Sequence, residues 1–237
     1  MNNTKIIFIK ELRSYFNSPM AYIFLIVFAI TNGYFFTNTF FLFNQSDMRA
    51  LFSIVPLIYL FFIPAVTMSL IAKEKNSGTM EVISTMPIKD VEFILGKFFA
   101  ALTLICSGLA ITFVHLFTLM NVGTNIDFGS VFTGYLGILL LGAVYASIGT
   151  FASSVTDNQV ISFIISVFIV LLFFLMDKVI FFMPSSIQSL VQYISVEFHL
   201  SNMSRGVIDT RNIIYFISLI LFFLFMTTRV LEIRKWK

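Results

Sequence analysis

His115 is the residue best placed to move a proton, because it stands inside a long apolar run, where an ionisable side chain is a functional candidate by default. No acidic partner accompanies it there, so a neutral imidazole hydrogen-bonded to a neighbouring helix is the favoured reading. Nucleotide chemistry would need a glycine-rich loop ending in Gly-Lys and Ser or Thr, whose backbone amides and lysine cradle phosphates. The one Gly-Lys pair, Gly96-Lys97, is followed by Phe98. No Gly-x-Ser-x-Gly nucleophile turn and no His-Glu-x-x-His zinc pattern occurs. The single cysteine, Cys106, has no intramolecular disulfide partner, and no Cys/His cluster offers a metal site. The sequence therefore predicts no catalytic, metal or cofactor chemistry in this chain.

What remains is the chemistry of contact. Gly142, Ala146, Gly149 and Ser153 recur at spacings of three and four, which lets helix backbones approach closely, within the subunit or across a dimer. Residues 73–97 form a connection longer than a helical bundle needs. It holds a turn at Asn76-Ser77-Gly78, a helical stretch from Thr79 to Met86, a stop at Pro87 and a second helix start near Asp90, a candidate N-cap. Met80, Ile83 and Met86 stand there beside Lys73, Glu74, Lys75 and Glu81, the mixture a helix needs to touch another protein. Glu81 is the favoured contact, since a carboxylate in a first turn suits the helix dipole and can meet a partner's Arg or Lys.

These residues must be positioned by elements suited to lipid. Of 237 residues, 58% are hydrophobic and 11% charged, against about 25% charged in soluble domains. The aromatic share, 17%, suits a path for a hydrophobic or amphipathic substrate and equally suits lipid-facing positions. Six runs have roughly the 20 apolar residues a span requires: residues 20–43, 51–72, 98–120, 131–155, 160–183 and 213–230. The first four hold no Asp, Glu, Lys or Arg, while Asp177 and Lys178 interrupt the end of the fifth. Before them, Phe8, Ile9, Leu12, Tyr15 and Phe16 share one helical face, and Lys10, Glu11, Arg13 and Ser14 the other. Residues 1–19 are therefore predicted to form a helix lying in the membrane interface, ended by Asn17-Ser18-Pro19. Charges interrupt this first stretch and no small-residue cleavage site follows, so it does not read as a cleavable signal.

With the N-terminus cytoplasmic, eleven of the fifteen Lys and Arg fall on the inner side, as the positive-inside rule favours. An even number of spans then puts both termini in the cytoplasm, with residues 73–97 beside them and residues 44–50 and 177–212 outside. Within residues 177–212, Ser185-x-x-Gln188 is a capping-box pattern and Ile187, Leu190, Val191 and Ile194 mark one helical face, predicting short external helices. The net charge of +3 is segregated at the helix ends and predicts no nucleic-acid binding. The whole reads as one membrane domain over residues 1–237.

The loops also carry a resemblance. Residues 10–19 (KELRSYFNSP), residues 74–87 (EKNSGTMEVISTMP), residues 205–211 (RGVIDTR) and the closing LEIRKW at residues 231–236 follow one another as they do in a known family. The chain resembles the type-2 family of bacterial ABC transporter permeases, and within it the gliding-motility-associated group. One departure is Asn76-Ser77, where family members often carry a longer run of charges. The resemblance implies an all-α inner-membrane protein of six transmembrane helices, with an N-terminal interfacial helix, a cytoplasmic coupling helix between spans two and three, and short external helices between spans five and six. It implies an exporter permease working with a second permease copy or a homologous one, and with ABC ATP-binding subunits that hold the ATP and Mg. On that pattern Glu74, Gly78, Thr79, Met80, Glu81, Ile83 and Pro87 are expected to couple to the ATPase, and Phe8, Leu12, Arg13 and Phe16 to form the interfacial helix. The alternatives are an ion-coupled secondary transporter or channel, disfavoured by charge-free spans, and a non-transporting membrane anchor of a larger complex.

Overall fold

The computed structural model describes residues 3–42, 47–123, 126–207 and 209–234. Among these residues every regular element is helical. Six helical segments are long and apolar enough to cross a membrane: Pro19–Phe41, Arg49–Asn76, Asp90–Val122, Phe128–Val155, Gln159–Val179 and Thr210–Ile233. They overlap all six predicted runs, the largest difference being span 3, whose helix begins at Asp90 rather than residue 98, because in lipid a lone apolar segment can satisfy its backbone only as a helix. The protein is an all-α polytopic membrane protein. Part of the loop at residues 44–50, Ile208 and the closing residues 235–237 lie outside the described residues, as does the side chain of Ser185.

Helix α1 (Asn3–Phe16) precedes the first span. The chain then turns at Ser18, whose backbone is extended, and Pro19 opens α2 (Pro19–Thr37) at a position where its missing N–H costs nothing. Span 2 is α3 (Arg49–Thr67), a tight turn, and α4 (Ala72–Asn76). The seven-residue helix α5 (Thr79–Thr85) follows. Span 3 is α6 (Asp90–Ile111) and α7 (Phe113–Val122), jogged at Thr112, where the Tyr135 hydroxyl reaches Thr112 Oγ1 at 3.0 Å. Asp90 is the first helical residue rather than the N-cap: Lys89 flanks the helix, and Glu92 Oε2 accepts from its backbone N–H at 3.1 Å.

Span 4, α8 (Phe128–Val155), is the axis of the bundle, with 72% of its apolar window buried against 17% for spans 5 and 6. Its small residues explain that position. A methyl group on Gly149 would overlap the Thr67 hydroxyl, and one on Gly134 would overlap the Phe52 ring. Ser153 Oγ accepts from Ile71 N–H and Ala72 N–H and donates to Met68 O, each at 2.9 Å, satisfying the backbone where span 2 breaks. The stripe Gly142, Ala146, Gly149 and Ser153 thus packs inside the subunit, against spans 2, 3 and 5.

Span 5, α9 (Gln159–Val179), leads to α10 (Ser185–Ile194) and α11 (Val196–Ser204), then to α12 (Thr210–Arg234), which forms span 6. Pro184 flanks α10, and Gln188 donates to Met183 O at 3.0 Å. Helix α11 is pinned by buried His199, whose Nδ1 lies 2.7 Å from Asn212 Oδ1 and whose Nε2 lies 2.8 Å from Tyr193 O. Its ring stacks on Tyr215 with centroids 4.0 Å apart. Thr133 of span 4 closes the plug by donating to Met203 O at 2.6 Å.

Candidate functional site

At the opposite end of the bundle, α1 lies across the start of α6. Gly96 permits this approach, since a Cβ there would lie 2.8 Å from the Ile7 side chain and 2.9 Å from Thr4 O. The next residue, Lys97, is only 1% exposed. An unpaired ammonium so buried would cost several kcal/mol. Two carboxylates compensate it: Lys97 Nζ lies 2.9 Å from Glu11 Oε1 of α1 and 2.9 Å from Glu74 Oε2 of α4. The second contact is a close ion pair rather than a directed hydrogen bond, as Oε2 finds no hydrogen-bond partner of good geometry. Lys10 closes the ring from outside, 2.8 Å from Glu74 Oε1 and 3.3 Å from Glu11 Oε1. The Phe93 ring lies 4.9 Å from Lys97 Nζ and adds a cation–π contact. Two cations and two anions therefore join three elements, α1 being 64 residues from α4 and 86 from α6 at the paired residues.

Burial lowers the Lys10 pKa, and the hydrogen bond and charge of Glu74, with the charge of Glu11, outweigh it and hold the group above its ordinary value. Nearby, the Tyr15 hydroxyl donates to Val66 O at 3.0 Å, tying α1 to the end of span 2. Burial is the main cause that pushes its phenol up, with the Glu11 charge adding to it. Asn3 Nδ2 donates to Glu92 Oε2 at 3.0 Å, fixing the other end of α1 to α6.

On this base stands α5. Gly78 precedes it with φ of +70°, a left-handed conformation that glycine adopts without strain. Thr79 Oγ1 donates back to Glu74 O at 3.3 Å. Met80 turns inward and is buried, Ile83 is half-buried, and Glu81, Val82 and Met86 are exposed, with Pro87 exposed beyond the helix end. The residues expected to act together are thus divided by the fold. Glu74 and Met80 brace the short helix from beneath, while Glu81 lies on its open surface with Val82, which the sequence reading did not single out.

On α1, Phe8, Leu12 and Phe16 are half-buried and Arg13 is exposed, whereas the fully buried positions are Ile7 and Tyr15. His115 stacks on Phe36 at 4.7 Å between centroids. Among the described residues no group of three or more His, Cys, Asp or Glu side chains is arranged to hold a metal. The buried ion cluster does not show in the sequence because Lys10 and Glu11 read as the polar face of the interfacial helix and Lys97 as one more positive charge on the inner side.

Comparison with known proteins adds one match: a family model described as ABC-2 family transporter protein aligns with residues 29–231. No curated protein matches the chain significantly. The match covers spans 2 to 5 in full, with α4 and α5, span 1 from residue 29 onward and span 6 as far as residue 231.

Proposed function

The chain belongs to the ABC-2 family of transporter proteins, and from that premise we propose that it couples ATP hydrolysis by a separate subunit to movement of its own spans. It is the membrane-spanning permease component of an ABC transporter. In the proposed arrangement both termini and residues 73–97 are cytoplasmic, α1 rests in the membrane interface, and two permease chains, identical or homologous, pair above two ATP-binding subunits. ATP and Mg are held by those partners. The reading extends to export or to driving an envelope or motility machine, as in the gliding-associated group.

The observation that carries the proposal is α5. A connection between two spans needs no helix of its own, yet this one holds a short helix with Glu81, Val82 and Met86 exposed. Beneath it, the buried ion pairs connect α4 to α1 and span 3. A partner that pushes on α5 therefore pushes on spans 2 and 3 together. Closure of an ATPase pair would tilt both spans and open or close the membrane path.

Glu81→Lys tests this directly. A charged contact broken at a partly buried interface costs about 2–5 kcal/mol, so Glu81→Lys should lose most of the ATP-binding subunit that co-purifies with the wild-type chain from native membranes. Asp209→Lys, at the other end of the bundle, should retain it. Undiminished co-purification and stimulated ATP turnover with Glu81→Lys would remove Glu81 from the contact. Purified alone, the chain should hydrolyse no ATP.

A further inference from the structure

A cavity of about 670 Å³ opens between α1, the end of span 2, α5 and the start of span 5. Its walls divide by chemistry. Met20, Leu70, Val82 and Ile83 make an apolar side, while Lys10, Lys73, Ser14 and Ser69 supply ammonium and hydroxyl donors. The carboxylates in its wall, Glu11 and Glu74, are both engaged by Lys97 and Lys10, so that cluster is neutral as a unit. Lys73 is the uncompensated charge: it is exposed, and among the described residues no carboxylate lies within ion-pair distance of it. No hydrogen bond among the described residues uses the hydroxyl of Ser14 or Ser69.

We propose that this cavity binds one anionic glycerophospholipid, with its phosphate on Lys73 and the Ser14 and Ser69 hydroxyls and its first acyl carbons on Met20 and Leu70 of the apolar wall. Depth supports the assignment. The cavity is level with Met20 at the start of span 1, Leu70 in the turn before the last helical stretch of span 2 and Gln159 at the start of span 5, where lipid headgroups meet hydrocarbon. Charge supports it too, since a net positive recess facing a headgroup layer selects anionic lipid over zwitterionic lipid. The size admits a headgroup together with the start of its chains, and a free phosphate would leave the apolar wall uncovered. A lipid held there touches α1 and α5 at once and stiffens the joint between them. The inference does not depend on an ATPase partner, because the site is formed by this chain alone.

The test is lipid retention by the purified chain without any partner. Protein is reconstituted in nanodiscs holding equal phosphatidylglycerol and phosphatidylcholine, extracted gently, and its bound lipid counted by native mass spectrometry. The wild type should retain one phosphatidylglycerol in clear preference to phosphatidylcholine. Lys73→Ala should weaken retention about fivefold, the contribution of one basic residue at an anionic surface, with Lys73→Glu weaker still and Lys73→Arg close to wild type. Lys89→Ala, exposed but outside the cavity, should change nothing. Equal retention of both lipids, or equal retention by wild type and Lys73→Glu, would overturn the proposal. So would displacement of the lipid by millimolar glycerol 3-phosphate, which would make the ligand a soluble phosphate.

Discussion

The two ends of this bundle solve the same problem with different chemistry. At one end, α11 is held by hydrogen bonds of the His199 ring to Asn212 and Tyr193 O, all close in sequence. At the other, α1, α4 and α6 are held by Lys10, Glu11, Glu74 and Lys97, which come from distant segments. Such hydrogen bonds contribute about 1 kcal/mol each and hold one local geometry. Buried charges contribute little net stability when complete but are costly to leave incomplete. The first arrangement makes a plug. The second makes a joint whose three parts must remain together while an exposed helix above it is pushed.

Removing the central cation should break the comparison most sharply. Lys97→Met leaves Glu11 and Glu74 facing each other in a buried site, so it should destabilise the chain by roughly 3–5 kcal/mol. Thermal unfolding in detergent would show this as a large fall in Tm. Combining Lys97→Met with Glu11→Gln and Glu74→Gln should recover much of the loss, because the charge left in the cluster is then Lys10, whose side chain is 61% exposed and stays hydrated. If the triple variant is as unstable as the single one, the joint depends on packing rather than charge balance.

The hydrogen-bonded end should respond less. His199→Leu keeps the apolar bulk but strands the Asn212 amide and the Tyr193 carbonyl, a cost of about 1–3 kcal/mol. It should loosen α11 without disturbing α1. Hydrogen exchange checks both halves: protection should fall in residues 193–204 and remain unchanged in residues 3–16. A uniform loss across both segments would mean that the ends are not independent.

Sequence made the scaffold of this comparison legible and hid its fastenings. Span positions follow from local hydropathy, and α5 follows from Gly78 and Pro87, because both are properties of neighbouring residues. Glu74 was read as a surface contact because its immediate neighbours are charged, yet Lys97, 23 residues away, takes it inside. Gly96 looked like half of a failed phosphate motif, and its reason is the crossing of α1 over α6. Gly134 carried no recognisable spacing, although the Phe52 ring leaves no room for a side chain there. Each miss is a tertiary pairing, which no local pattern encodes.

The smallest expected effect belongs to Lys10, and its pH dependence distinguishes it from the rest of the joint. Its side chain is 61% exposed, so water screens its pairing with Glu74 and Glu11, and Lys10→Gln should cost less than about 1 kcal/mol near neutral pH. The sign of the pH effect follows from the raised pKa. Folding favours the protonated form, so the stabilisation is complete below the ordinary lysine value of about 10.5 and disappears only as pH rises through the higher folded value. The difference in Tm between wild type and Lys10→Gln should therefore stay constant from about pH 6 to about pH 9 and close only above about pH 10.5. Should the gap instead close between pH 6 and pH 9, the ammonium of Lys10 is not what Glu74 and Glu11 hold, and the outer half of the ion cluster loses its role in bracing α4 against α1.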